Sequence, residues 1–116
     1  MHRLVLSATS MIGNGVKNPA GEDLGKVTEI MIDVDQGRVA YAVLSFGGFL
    51  GLGDKLFAIP WEALDLDTGD HKFILNVNKE TLENAEGFDQ DNWPDMADPR
   101  WRQQVHEHYG YTPYLD

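Results

Sequence analysis

Residues Val39-Ala40-Tyr41-Ala42-Val43-Leu44-Ser45-Phe46 form a run with almost no polar side chain on either parity. In a β-strand successive side chains point to opposite faces. Val39, Tyr41, Val43 and Ser45 therefore share one face, and Ala40, Ala42, Leu44 and Phe46 the other. A strand wetted on one side alternates apolar with polar residues; this one does not, so it needs cover on both flanks. In a small barrel only one parity faces the interior. The opposite parity then needs a second layer, because a broad exposed apolar patch is uncommon on a monomer.

Two covers are available: the chain's own C-terminal arm, or a second subunit. The arm is rich in aromatic residues, namely Phe88, Trp93, Trp101, Tyr109, Tyr111 and Tyr114. The expectation is that it wraps the outer face of the barrel, leaving the remaining apolar surface for a partner or a homodimer. The candidate interaction surface comprises Tyr41, Val43 and Phe46 on the strand, Phe49, Leu50 and Leu52 in the following loop, and Trp93 and Trp101 on the arm.

The rest of the first two-thirds reads as short strands between turns. Val27 to Val34 is one strand, with Ile30, Ile32 and Val34 expected on one face and Glu29 and Asp33 on the other. Asp35-Gln36-Gly37 then forms a hairpin in which Gly37 takes positive φ. Leu56 to Ile59 is a strand closed by Pro60. Leu64 to Asp67 and Lys72 to Val77 flank a second hairpin at Thr68-Gly69-Asp70, Asn18-Pro19-Ala20-Gly21 is an earlier turn, and Thr9 to Ile12 is a helical turn. The fold class is mainly β: a small barrel over residues 1–80 and an acidic, aromatic arm over 81–116 packed on it. Lys79 to Asn84 makes a turn or two of helix. A helix over about 98–109 opens with Asp98 as N-cap and Pro99 at the first position, aligns Trp101, Val105 and Tyr109, and ends at Gly110.

The residues of this region resemble a known family. Ser10-Met11-Ile12-Gly13, Asn18 to Val27 and Ile30-Met31-Ile32-Asp33 look like the opening of a PRC-barrel domain. Gly37 to Ser45, the glycines from Gly47 to Gly53, and Lys55-Leu56-Phe57-Ala58-Ile59-Pro60-Trp61 continue the pattern, which covers roughly residues 8–80. The resemblance implies a compact β-barrel. Similar domains form the cytoplasmic part of the photosynthetic reaction-centre H subunit and the C-terminal half of a ribosome maturation factor. In both they support protein contacts and assembly, and no shared catalytic centre is implied. This chain lacks the transmembrane helix of the former and the extra N-terminal domain of the latter, so neither task transfers directly.

Charge narrows the partners. The chain carries nine basic and nineteen acidic residues, a net charge of −10, and eleven of the acids fall within residues 62–98. The resulting field repels phosphate backbones, so no direct nucleic-acid binding is expected. With no cysteine, thiolate metal sites, disulfides and cysteine nucleophiles are excluded. The apolar segments are too short for membrane insertion, and a cytoplasmic protein is expected.

No reactive constellation emerges. The glycine loop Gly47 to Lys55 has neither the spacing nor the following helix of a phosphate-binding loop. Asp33-x-Asp35-x-Gly37 and Asp89-x-Asp91 lack the further oxygen ligands of a calcium loop. His106 and His108 stand two apart on a helix and diverge by about 200°, unlike a metal pair. Trp61, after Pro60, suits an anchor closing one barrel end. The expectation is therefore no enzyme, with no catalytic, cofactor or metal residue. The leading reading is a noncatalytic protein-interaction or assembly scaffold. The alternatives are a small-molecule or divalent-ion sensor using the acidic segment, or a ribosome-assembly or photosynthesis-associated accessory role by resemblance.

Overall fold

The computed structural model of the chain describes residues 5–47, 54–67 and 69–112. A short helix, α1 (Ala8–Met11), leads into β1 (Gly15–Lys17), β2 (Asp23–Asp33), β3 (Arg38–Gly47) and β4 (Asp54–Pro60). A 3-10 turn at Trp61–Ala63 joins β4 to β5 (Leu64–Asp67), and β6 (Lys72–Leu75), α2 (Lys79–Glu83) and α3 (Pro99–Tyr109) follow. The six strands form one sheet in the order β4-β3-β2-β1-β6-β5. All neighbours are antiparallel except β1 and β6.

The two edge strands, β4 and β5, are separated by three residues only. In a flat six-stranded sheet the edges would lie about 24 Å apart. Three residues between strand ends bridge at most about 15 Å. The sheet must therefore curl on itself, and it does so as a half-barrel whose concave side holds the main core. Leu24 and Val27 of β2, Leu44 of β3, Phe57 and Ile59 of β4 and Phe73 of β6 are all buried there. Leu82 and Ala85, at and beyond α2, join the same core, so the segment after β6 plugs the open seam. Trp61, partly buried, packs against this core with its ring edge-on to Phe73 at 5.9 Å.

Both parities of β3 are covered. Ala42 and Leu44 face the interior core. On the convex side Tyr41 and Ala58 form a second cluster under Trp101 and Val105 of α3, with Phe88, Met31 and Met96 around them; Ala40, the extra residue at the register irregularity, joins it. The backbone of Phe88 adds a single bridge to the β4 edge, exchanging hydrogen bonds with Leu56 of 2.8 and 3.0 Å.

The helices are fixed by their ends. Asp98 caps α3 by accepting from Arg100 N at 2.9 Å, and Gly110 ends it at φ +82°. Asn78 caps α2, accepting from Thr81 N at 2.7 Å. The hairpins also match their turn chemistry. Gly37 has φ +64°, and Asp33 Oδ1 accepts from Gln36 N. Asp67 Oδ1 accepts from Gly69 N and Asp70 N.

One strand departs from its expected pattern. Register shifts place one extra residue, Thr28, in β2 and another, Ala40, in the facing part of β3. Ile30 packs on the interior core, Met31 joins the second cluster, and Ile32 and Val34 are 53% and 85% exposed. Ile30, Ile32 and Val34 thus do not share a buried face: Ile32 sits at the hairpin end of β2 and Val34 in the turn beyond it.

Candidate functional site

The convex cluster hides a polar network between β3, the 3-10 turn and α3. Tyr41 has no exposed surface, and its ring meets Trp101 edge-on at 5.2 Å and His106 at 5.5 Å. His106 is likewise fully buried. Its Nδ1 lies 2.8 Å from the Arg102 carbonyl, four residues earlier, and 3.4 Å from the Tyr41 hydroxyl. A carbonyl only accepts, so Nδ1 carries the proton and donates to it. The other ring nitrogen, Nε2, then faces the Glu62 carboxylate at 3.9 Å. Arg38 donates to the same carboxylate at 2.9 Å. Burial pushes the Tyr41 hydroxyl above its usual value of 10, and the neighbouring Arg102 guanidinium partly offsets this. These groups fix the seat of α3 on the sheet.

Beside this seat lies a groove of about 400 Å³, between the β2–β3 hairpin and the start of α3. Its walls include Met31, Ala40, Met96 and Arg102. Ile32 and Val34 stand at its rim with Asp33 and Asp35. The surface is therefore mixed: Met31, Ala40 and Met96 supply an apolar, adaptable part, and Asp33 and Asp35 make the hairpin side acidic. This composition suits holding a side chain or peptide segment.

The residues expected to form one interaction surface are dispersed. Tyr41 and Val43 are wholly buried by the chain itself, so neither is available to a partner in the folded chain. Phe46 is half-buried on the interior side, 6.4 Å from Phe57. Trp101 lies over Tyr41, while Trp93 is 39% exposed and rests on Phe88 at 5.1 Å. Phe49, Leu50 and Leu52 lie outside the described residues. Among the described residues of that set, Tyr41 and Trp101 are the pair in ring contact.

Sequence reasoning missed Ile32, Val34, Met96, Arg102, His106 and Glu62. The signal for two of them was present: Arg102, Val105, His106 and Tyr109 fall at helical spacing, which widens the buried stripe of α3 by one position. The divergence of His106 and His108 holds, since His108 Nε2 instead meets the Thr81 carbonyl at 2.8 Å. Among the described residues no three His, Asp or Glu side chains are grouped to hold a metal ion, and no helix is long and apolar enough to cross a membrane.

Comparison with curated proteins gives no match. The PRC-barrel domain model matches residues 5–82, about two-thirds of the chain. That span contains all six strands and the turn that joins the sheet's edges. The chain is a member of the PRC-barrel domain family.

Proposed function

We propose that this chain is a noncatalytic interaction or assembly module that docks a protein partner in the groove beside the β2–β3 hairpin. The observation that carries this reading is the exposure of Ile32 and Val34, at 53% and 85%, directly on the rim of a partly apolar groove. Ile32 lies just past the register irregularity at Met31 and Ile32, and Val34 opens the turn that follows β2. The acidic hairpin favours a partner segment with apolar side chains flanked by Lys or Arg. A cytoplasmic setting, expected from the shortness of the apolar segments, is part of this proposal.

The test compares wild type with Ile32→Asp and Val34→Asp in quantitative affinity capture from native lysate. Proteins lost selectively from both variants, and then shown to bind the purified wild-type chain directly, support the reading. Identical capture profiles for all three proteins would overturn it. Light scattering over a concentration series shows whether a second copy occupies the groove: both variants would then abolish a dimer that the wild type forms.

A further inference from the structure

The molecule carries a second surface of opposite sign. Four of the nine basic residues, Lys17, Lys26, Lys72 and Lys79, line one groove of about 610 Å³ in an otherwise strongly acidic protein. It is built on the outward parity of β1, β2 and β6. Val16 and Phe73 are register partners and point into the core. Their neighbours therefore point out, and Gly15 stands between Lys26 of β2 and Lys72 of β6 in one cross-strand row. Like charges gathered across a sheet destabilise it unless something neutral or anionic stands between them. Here the central position is a glycine with no side chain.

Other charges offset the lysines only in part. Lys17 Nζ reaches Asp70 at 3.3 Å, with both side chains partly exposed. Asp23 is turned to the backbone, its Oδ1 accepting from Gly25 N at 2.9 Å. Glu83 of α2 is the other acid lining the groove. Among the described residues, Lys26, Lys72 and Lys79 form no ion pair.

We propose that this groove binds a small polyvalent anion, carrying two or more phosphate or carboxylate groups, seated over Gly15 between Lys26 and Lys72. The volume falls within the range of small-ligand clefts. The Cα positions flanking Gly15 are about 10 Å apart, a span that two lysine stems close around a compact anion. A long polyanion is disfavoured, because the net charge of −10 repels it at distance and Asp23 and Glu83 interrupt the positive track. A small anion within the groove lies inside a screening length of its lysines and is dominated by them. The site is separate from the hairpin groove and does not depend on the role proposed for it.

The test is calorimetric titration of the full chain with inorganic triphosphate and, separately, with citrate, at low ionic strength. Saturable one-to-one binding is expected for at least one of them, and the pair tells phosphate from carboxylate preference. Lys72→Ala and Lys26→Ala should each weaken binding by roughly tenfold, the loss of one charge-assisted contact. Arg100→Ala, on the exposed side of α3 and outside this groove, changes the net charge equally and should leave binding unchanged. Gly15→Val keeps every lysine but fills the seat: a Cβ there stands 3.9 Å from Lys72 Cγ, and its φ is one that any residue adopts. It should weaken binding while the thermal melt stays cooperative. Absence of binding by both anions, equal losses from Arg100→Ala and Lys72→Ala, or unchanged binding by folded Gly15→Val overturns the proposal.

Discussion

Replacing Trp101 by alanine strips the cover from the convex side of β3. Trp101 is largely buried and lies edge-on to Tyr41 at 5.2 Å. A tryptophan in such a site removes roughly 150 Å² of apolar surface from water, or about 3–4 kcal/mol at ~25 cal/mol per Å². The edge contact adds roughly 0.5–1.5 kcal/mol, and relaxation of α3 returns part of the sum, so a loss of about 3–4 kcal/mol is expected. For a domain whose stability is about 5–15 kcal/mol, this is a large share, with Tm falling by roughly 10–15 °C. Urea unfolding followed by far-ultraviolet circular dichroism measures the loss. Binding of a hydrophobic dye reports whether Ala40, Tyr41 and Ala58 have become wet. Trp93→Ala is the matched control: it is 39% exposed and rests on Phe88, so about 1 kcal/mol is expected. A Trp101→Ala protein within 1 kcal/mol of wild type, with no added dye uptake, refutes the idea that α3 is what keeps this face dry.

Three further outcomes follow from single positions. Gly25→Ala should destabilise by more than about 4 kcal/mol, since its φ is +109° and a Cβ would stand 2.0 Å from the Ser45 carbonyl oxygen, whereas Gly21→Ala, at φ +87° in open space, should cost only about 1–2 kcal/mol by the same urea assay. Asn18→Ala should cost about 2–3 kcal/mol, because buried Asn18 accepts from Glu22 N at 2.9 Å and donates to the Val77 carbonyl at 3.2 Å, tying the β1–β2 turn to the chain after β6. Burial raises the Tyr109 hydroxyl well above 10, so above pH 10 the unfolded chain gives up a proton that the folded chain keeps, and stability falls as pH rises. Tyr109→Phe should flatten that alkaline decline and leave neutral stability nearly unchanged, as the buried hydroxyl has no hydrogen-bond partner among the described residues.

What the sequence makes legible is whatever a local pattern dictates. The double parity of residues 39–46 announces two apolar layers, and both are present. The caps at Asp98 and Gly110 place α3, and Gly37 places its hairpin. The surface around Ile32 is not legible, because the irregularities at Thr28 of β2 and Ala40 of β3 depend on how the two strands meet and leave no mark in the spacing of Val27, Ile30 and Ile32. Nor is the clustering of Lys17, Lys26, Lys72 and Lys79. It requires β6 to return beside β1, a pairing between segments more than fifty residues apart. The burial of His106 hides for a third reason: a titratable residue in a helix's last turn reads as solvent-facing until the neighbouring elements are in place.

The two-sided strand also sets a schedule for biosynthesis. About sixty residues separate the end of β3 from the end of the helix that shelters it. At roughly 5–20 residues per second a ribosome needs about 3–12 s to make them. Throughout that interval the emerging hairpin holds one oily flank with nothing to lay over it. Nascent chains of this design are therefore expected to engage holdase chaperones until the last helix is released, and slowing translation downstream of codon 47 should lengthen that engagement.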